Sequence, residues 1–247
     1  MSQKIAFITG GNRGLGFQTA LDLKDAGVKV VIGSRDAAQG EQALAKLRAA
    51  GVDAAVLQFD ITKPADWQAA YEYFNANFGR LDILVNNAGI AAGGFPVEGP
   101  NHSASEVPLD LLRKIFDTNF FAQVGLTSAL LPLLKKSPAG RIVNLSSILA
   151  SLTLHADPKS PIYEAKSFAY DASKTALNAF TIHLAHELRG TNIKVNSAHP
   201  GWVKTDMGGK DAPMELSEGG KTSAALATLS DDGPTGGYFH MGQPLPW

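Results

Sequence analysis

Short apolar runs alternate with longer amphipathic stretches along almost the whole 247-residue chain. Near-continuous apolar runs are typical of strands buried on both faces, as in a parallel sheet. Because a helix-like stretch follows each run, the pattern predicts one α/β domain over 1–247, a doubly wound parallel sheet of about seven strands with helices on both faces. The predicted strands are Ile5–Thr9, Val28–Ile32, Ala54–Phe59, Leu81–Val85, Arg141–Leu145, Ile193–Ser197 and a short edge strand at Gly237–His240; the predicted helices span about 16–26, 37–50, 64–78, 108–135, 168–190 and 215–228.

Composition and charge exclude several kinds of function. The chain has no cysteine, which rules out disulfides, thiolate catalysis and cysteine-based metal sites. Its net charge of −1 comes without runs of like charge, so we expect no nucleic-acid partner and no anionic membrane partner. No apolar stretch is long enough to cross a bilayer. The first predicted strand begins almost at Met1, which leaves no room for a signal peptide, so we expect a cytoplasmic protein. His183 and His186 lie three apart without an evident third ligand, and no metal site is predicted.

Three segments interrupt the alternation, at about 91–107, 150–167 and 206–218. All three follow predicted strands. Ligands of open α/β sheets bind beyond the carboxyl ends of the strands. We therefore expect these segments to form the substrate wall and lid, with variable surface loops as the alternative.

A glycine-rich turn follows the first predicted strand and precedes a helix. Its glycines at 10, 14 and 16 do not have the spacing of the usual dinucleotide fingerprint. The physical requirement is nevertheless the same, because glycines allow the backbone to approach a pyrophosphate that lies on a helix N-terminus. The alternative is a glycine-rich turn without a ligand. The turn predicts cofactor contacts from Gly10, Asn12, Arg13, Gly14, Leu15 and Gly16.

The end of the second predicted strand bears on the choice of cofactor. An acidic residue here would bind the ribose 2′-hydroxyl of NAD, and an arginine would accept the 2′-phosphate of NADP. Both types are present, as Arg35 and Asp36. Asp36 precedes a helix and has Gln39 three positions later, so it has a capping role available. We therefore predict NADP(H), held by the guanidinium fork of Arg35 with Arg13 within reach; a solvated surface charge is the alternative for Arg35.

Tyr170 and Lys174 lie four positions apart in a predicted helix and therefore project from the same face. A phenol normally has a pKa of about 10. A nearby ammonium favours the phenolate, so Lys174 is expected to lower the pKa of Tyr170. Such a tyrosine donates a proton to a carbonyl oxygen or removes one from an alcohol. The same spacing also occurs in ordinary exposed helix pairs.

Three further polar residues stand at positions that favour a site. Ser146 and Ser147 end the strand before the second interrupting segment, where a hydroxyl could bond a substrate oxygen. Asn119 lies midway along the predicted helix 108–135, where asparagine is mildly unfavourable. The alternatives are a helix-capping serine and an exposed asparagine.

From end to end the chain resembles the short-chain dehydrogenase/reductases, and within them the monomeric carbonyl reductases. The pieces that match the family occur in its order: Thr9–Gly16, Asp60, Asn86-Asn87-Ala88-Gly89, Asn119, Ser146-Ser147, Tyr170–Lys174 and Pro200-Gly201. The stretches similar to carbonyl reductases are Gly10–Gly14, Ser34-Arg35-Asp36 and Pro200–Met207.

The resemblance implies a Rossmann-type fold and a role for each matching residue. Tyr170 would be the general acid/base, and Lys174 would hold the nicotinamide ribose and lower the pKa of the tyrosine. Ser147, rather than Ser146, would orient the substrate carbonyl, and Asn119 would anchor a water molecule that links Lys174 to solvent. The remaining cofactor contacts would come from Asp60 and Ile61 at the adenine, Asn87 and Gly89 at the adenosine ribose, and Pro200, Gly201, Val203 and Thr205 at the carboxamide.

The resemblance further implies an NADPH-dependent oxidoreductase that acts on a small carbonyl or alcohol substrate. Ser147 and Tyr170 are farther apart in sequence than in most members, and the extra residues fall at 150–169. In carbonyl reductases an insert here covers a helix face that relatives use for tetramers, so a monomer or small homo-oligomer is expected. The alternative function is a cofactor-binding regulator on the same fold that does not turn over.

Overall fold

The computed structural model describes residues 3–92 and 103–247. In this part of the chain eight strands form one sheet in the order β3-β2-β1-β4-β5-β6-β7-β8. Strands β1 to β7 are parallel to their neighbours, and β8 pairs with β7 in the antiparallel direction. The strands are β1 Ile5–Ile8, β2 Lys29–Ser34, β3 Ala54–Gln58, β4 Ile83–Asn86, β5 Arg141–Leu145, β6 Lys194–Ala198, β7 Tyr238–His240 and β8 Gln243–Pro244.

Helices connect the parallel strands and cover both faces of the sheet. They are α1 Gly14–Asp22, α2 Ala37–Ala49, α3 Pro64–Phe78, α4 Leu109–Phe116, α5 Ala122–Leu134, α6 Leu152–Ala156, α7 Phe168–Glu187, α8 Leu216–Gly219 and α9 Lys221–Ala227. Short 3-10 turns occur at Lys24–Ala26 and Ile148–Ala150, and Asp117–Phe121 forms a π-helical segment.

Two apolar cores lie on opposite faces of the sheet. On one face, side chains of α3, α5 and α7 such as Phe74, Leu126 and Leu184 pack against the strands. On the other face, side chains of α1, α2 and α9 such as Ala20 and Leu47 do so. Helices on both faces of a mostly parallel sheet confirm the predicted doubly wound fold.

The structure corrects several predicted boundaries. The strand Tyr238–His240 is not the edge, because β8 pairs beyond it. The predicted helix 108–135 is interrupted by the π segment, where the Asn119 side chain bonds the backbone of Ile90. The predicted helix 215–228 divides at Gly220, where a Cβ would lie 2.3 Å from an Asp22 carboxylate oxygen because α1 passes so close.

The interrupting segments differ in how much structure they have. The segment 150–167 contains the short helix α6. The segment 206–218 runs into α8, and Val203 forms an isolated bridge with Met214. The predicted wall at 91–107 falls largely on 93–102, which lie outside the described residues.

Candidate active site

The strand order reverses between β1 and β4, and a cleft of about 1520 Å³ opens at the carboxyl ends of the strands around that point. Of the residues predicted for the site, Asn119 and Gly16 lie behind the wall of the cleft. All the others line it: Gly10, Asn12, Arg13, Gly14, Leu15, Arg35, Asp60, Ile61, Asn87, Gly89, Ser147, Tyr170, Lys174, Pro200, Gly201, Val203 and Thr205.

The glycine-rich turn brings the start of α1 to the floor of the cleft. Gly10 has a φ of +61°, a left-handed conformation that glycine adopts without strain. A Cβ on Gly16 would lie 2.5 Å from Nδ2 of Asn87 and 2.7 Å from the carbonyl oxygen of Gly10, so only glycine fits. Helix α1 has no side-chain cap among the described residues. Its first N–H groups therefore remain available to an anion.

Arg35 and Asp36 have the different roles that the sequence predicts. The Asp36 carboxylate accepts a hydrogen bond from the Gln39 N–H at 2.9 Å and so caps α2. The Gln39 side chain does not return this bond; it accepts one from Asn12 at 3.2 Å. Arg35 is exposed on the cleft wall and lies close enough to Asp60 to help lower the pKa of that carboxyl.

Arg13 forms an ion pair with Asp206 at 2.7 Å. Both side chains are largely exposed, at 69% and 83%, so the pair contributes little to stability. It joins the glycine-rich turn to the 206–218 segment across the mouth of the cleft. Arg13 is thus engaged with a carboxylate here, although a 2′-phosphate would be a stronger partner for a guanidinium.

Asp60 is held in place by its neighbours at the end of β3. Its N–H donates to the Asp66 carboxylate at 2.7 Å, and its own carboxylate accepts from the Thr62 N–H and hydroxyl at 3.0 and 2.7 Å. Burial opposes ionisation, but the hydrogen bonds from Thr62 and the charge of Lys63 outweigh it and lower the pKa of Asp60.

The segment after β4 is bonded to the glycine-rich turn. Asn87 Nδ2 donates to the carbonyl oxygen of Thr9 at 2.7 Å, and the Thr9 hydroxyl accepts from the N–H groups of Asn87 and Ala88. Gly89 faces Lys174, whose Nζ would lie 3.5 Å from a Cβ added at Gly89. The side chain of Asn87 therefore has a structural role in shaping the turn.

Tyr170, Lys174 and Ser147 meet on one wall of the cleft. The Lys174 Nζ lies 5.8 Å from the centre of the Tyr170 ring and donates to the Leu145 carbonyl at 2.6 Å. The Ser147 side chain lies close enough to the Tyr170 phenol to act on its pKa, whereas the buried Ser146 hydroxyl has no hydrogen-bond partner among the described residues. Of the two serines, Ser147 is therefore the one whose side chain lies beside the phenol.

The pKa of Tyr170 is not lowered, contrary to the electrostatic prediction. Burial raises it to about 12, the nearby Ser147 side chain only partly opposes this rise, and Asp171 adds to it. Lys174 is itself buried, which lowers its pKa to about 8 and weakens its hold on a proton. At neutral pH the phenol is thus fully protonated, which is the form that donates a proton.

Asn119 is fully buried beneath this group. Its Oδ1 accepts from the Ile90 N–H at 2.8 Å, and its Nδ2 donates to the Ile90 carbonyl at 2.8 Å and to the Ser173 hydroxyl at 3.0 Å. The Ser173 hydroxyl in turn donates to the Tyr170 carbonyl at 2.7 Å. The amide of Asn119 therefore ties the segment after β4 to the helix that carries Tyr170. Its predicted role as a water anchor stays a prediction.

The 150–167 segment is bonded to the residue next to Tyr170. The Asp171 carboxylate accepts from the Ser167 N–H at 2.7 Å and lies 3.4 Å from Nε2 of His155. Nδ1 of His155 faces the Lys166 ammonium at 3.1 Å. Burial raises the pKa of Asp171 to about 7, despite the Ser167 bond and the charge of Lys166.

Sequence reasoning did not identify Ile90 and Ser173, whose roles depend on bonds to Asn119. Ser173 lies inside the Tyr170–Lys174 motif, and that position was the available signal.

The described residues contain neither a membrane-spanning helix nor a cluster of metal ligands. Within residues 3–92 and 103–247, every helix is too short or too polar to span a bilayer. Across the same ranges no three acidic or histidine side chains lie close enough together to hold a metal ion.

Known proteins resemble this chain over its whole length. It is 33% identical to carbonyl reductase (NADPH) 1 of Mus musculus, with 100% of this chain and 99% of the relative covered. Among solved structures, the carbonyl reductase Sniffer of D. melanogaster superposes with a TM-score of 0.83 at 29% identity, with both chains fully covered. An NADPH-bound carbonyl reductase from chicken fatty liver gives 0.82 at 26% identity, also with both chains fully covered.

The family model described as short chain dehydrogenase matches residues 4–216. This range includes the glycine-rich turn, the Tyr170 group and the loop after β6. The match covers most of the chain and agrees with the sheet order and the cleft. The chain therefore belongs to the short chain dehydrogenase family of oxidoreductases.

Proposed function

We propose that this protein is an NADPH-dependent carbonyl reductase that transfers a hydride between the nicotinamide and a small carbonyl or alcohol substrate. The observation that carries the proposal is the meeting of Ser147, Tyr170 and Lys174 on one cleft wall that continues to the Pro200–Thr205 loop. The relatives named for NADPH and carbonyl reduction support the same assignment.

The residues of the cleft fit a dinucleotide phosphate. The pyrophosphate would lie on the turn of Gly10 to Gly16, and a 2′-phosphate would be held by Arg35 and by Arg13 released from Asp206. Asp60 and Ile61 would contact the adenine. Asn87 and Gly89 would contact the adenosine ribose. The carboxamide would be held by Pro200, Gly201, Val203 and Thr205.

Bound NADPH supplies the hydride, and the protein supplies the proton and the orientation. The Tyr170 phenol, protonated at neutral pH, donates its proton to the carbonyl oxygen of the substrate. The Ser147 hydroxyl bonds the same oxygen and so orients the carbonyl against Tyr170. Lys174 holds the nicotinamide ribose and replaces the proton that Tyr170 gives up.

Apolar side chains dominate the wall around Ser147. Ile148, Leu149, Ile162 and Trp202 are among the residues that line the cleft. Such a lining with a few polar groups is typical of sites for small apolar ligands. We therefore infer that the substrate presents its carbonyl on an apolar body. From the resemblance of the 150–169 insert to that of carbonyl reductases, we propose that the enzyme works as a monomer or small homo-oligomer.

The test is turnover of NADPH with an aromatic ketone, followed by loss of absorbance at the cofactor band. Tyr170→Phe should lower kcat by about 10²- to 10⁴-fold, because only the proton donor is lost. The Kd for NADPH, measured by fluorescence titration, should stay nearly unchanged.

Tyr163→Phe is the matched control. Tyr163 also lies beside a lysine, with Lys166 Nζ 4.7 Å from its ring centre, but it does not line the cleft. It should keep wild-type kcat. Substantial activity in Tyr170→Phe would contradict the assigned role. Tight NADPH binding without turnover on a broad carbonyl panel would instead favour a cofactor-binding regulator.

A further inference from the structure

The peptide unit between Ser147 and Ile148 is held from both sides by side chains of distant strands. The Ser147 carbonyl oxygen accepts a hydrogen bond from the Tyr238 hydroxyl, 91 positions along the chain. The N–H of Ile148 donates to Nδ1 of His199 at 3.1 Å. Because a peptide unit is planar, bonds to both its carbonyl and its N–H fix the orientation of the plane.

Tyr238 is built into the fold so that its hydroxyl faces the Ser147 carbonyl. The residue is 1% exposed, and its ring stacks on Trp247 with centres 5.5 Å apart. Burial raises the pKa of Tyr238, and the proximity of Tyr170 raises it further, so the hydroxyl remains a donor. The second lone pair of the Ser147 carbonyl accepts from the Ala150 N–H at 2.8 Å, which completes its bonding.

His199 is buried at the end of β6 in a way that keeps it neutral. Its ring lies against that of His240, with centres 4.8 Å apart, and Nδ1 of His240 bonds the His199 carbonyl oxygen at 3.0 Å. Burial, with His240 close by, lowers the pKa of His199 to about 3. Nδ1 is therefore an acceptor, and it also receives the Gly201 N–H at 3.4 Å.

We propose that Tyr238 and His199 are positioning residues for Ser147, which together set the direction in which its hydroxyl faces Tyr170. Neither needs to contact the substrate for this role. Through Gly201, His199 also joins the Ser147 turn to the loop that is proposed to hold the carboxamide. The inference rests on the proposed function, because it assigns a catalytic purpose to an arrangement around the proposed substrate-orienting serine.

The first test compares Tyr238→Phe in the wild-type and Ser147→Ala backgrounds. If Tyr238 acts through Ser147, its loss should lower kcat by about tenfold in the wild type, roughly the value of one hydrogen bond. In the Ser147→Ala background it should change kcat by less than about twofold, because the group it positions is already gone. The Kd for NADPH should not change in either background.

Ser197→Ala is the matched control for losing a buried hydroxyl near the same strand end. The Ser197 hydroxyl bonds Thr181 at 2.8 Å and has no part in the Ser147 peptide. Its kcat should equal that of the wild type. An equal loss of kcat from Tyr238→Phe in both backgrounds, or no loss in the wild type, overturns the proposal for Tyr238.

The second test needs no turnover and therefore separates this inference from the proposed function. His199→Phe removes the acceptor, whereas His199→Asn keeps an acceptor oxygen near the position of Nδ1. Hydrogen exchange at the Ile148 amide should become about tenfold faster in His199→Phe and remain within about twofold of wild type in His199→Asn. Unchanged exchange in His199→Phe overturns the proposal, even for a protein that reduces no carbonyl.

Discussion

At the scale of single residues, the carboxyl group of Asp171 links pH to stability. It is 8% exposed, and burial raises its pKa from 3.8 to about 7. A carboxyl whose pKa is higher in the folded state favours folding most below its unfolded pKa, and this advantage is lost as pH rises through the folded pKa. The loss should therefore occur between about pH 4 and 7.

Asp171→Asn removes this titration while keeping a similar shape. We measure the free energy of unfolding of Asp171→Asn and of wild type in urea. The difference, variant minus wild type, should rise by about 2 kcal/mol from pH 5 to pH 8. The comparison uses this difference because the titration of His199 changes the stability of both proteins with pH in the opposite direction, and its effect cancels in the difference. Its lowered pKa removes stability as pH falls below 6.5.

Asp53→Asn is the control for Asp171→Asn. The hydrogen bond from Lys29 lowers the pKa of Asp53, so this carboxyl is ionised throughout the range in both folded and unfolded protein. Its difference from wild type should stay constant from pH 5 to pH 8. A pH-independent difference for Asp171→Asn as well would contradict the assignment.

At the scale of elements, the contact between α3 and α5 depends on a glycine in the interior of a helix. A Cβ at Gly125 would lie 2.2 Å from the Trp67 ring, whose Nε1 donates to the Ile61 carbonyl at 2.7 Å. Alanine is a better helix former than glycine by about 1 kcal/mol. Gly125→Ala should nevertheless lower the free energy of unfolding by about 1–3 kcal/mol, because the two helices must separate.

A double-mutant cycle with Trp67→Leu identifies the cause. In that background the ring is absent, so Gly125→Ala should become neutral or stabilising in urea unfolding. A loss of equal size in both backgrounds would show that the close approach to Trp67 is not responsible.

At the scale of the whole molecule, the proposed cofactor would contact the carboxyl ends of several strands and so stabilise the folded chain by mass action. NADPH should raise Tm more than NADH at equal concentration. Arg35→Ala should reduce the NADPH shift by about 3–12 °C, since a hydrogen bond to a charged group contributes about 1.5–3 kcal/mol. The NADH shift should hardly change.

Arg189→Ala is the control for Arg35→Ala. Arg189 is an exposed arginine outside the cleft that bonds the His186 carbonyl, and its loss should leave both shifts intact. An equal reduction of the NADPH and NADH shifts in Arg35→Ala would indicate a structural arginine rather than a phosphate ligand.

The periodic parts of the fold could be predicted because they depend on near neighbours. The apolar run Arg141–Leu145 and the helical spacing of Tyr170 and Lys174 each reflect a local repeat. The cap at Asp36 was predictable for the same reason, since it bonds a residue three positions away. The added strand β8 was not, because a two-residue strand has no period to detect.

The order of strands and helices, the turn at Gly10 to Gly16 and the shared face of Tyr170 and Lys174 were thus determined by the sequence itself, because each is a matter of local stereochemistry. Only the tertiary structure decided that the Ser147 side chain lies beside Tyr170, why the helix bulges at Asn119, and that Tyr238 and His199 hold the Ser147 peptide. Those contacts join residues 23 to 91 positions apart, and burial at the same places also sets the pKa of Tyr170. Neither long-range contact nor burial can be read from neighbours in the chain, since both exist only after the strands have paired.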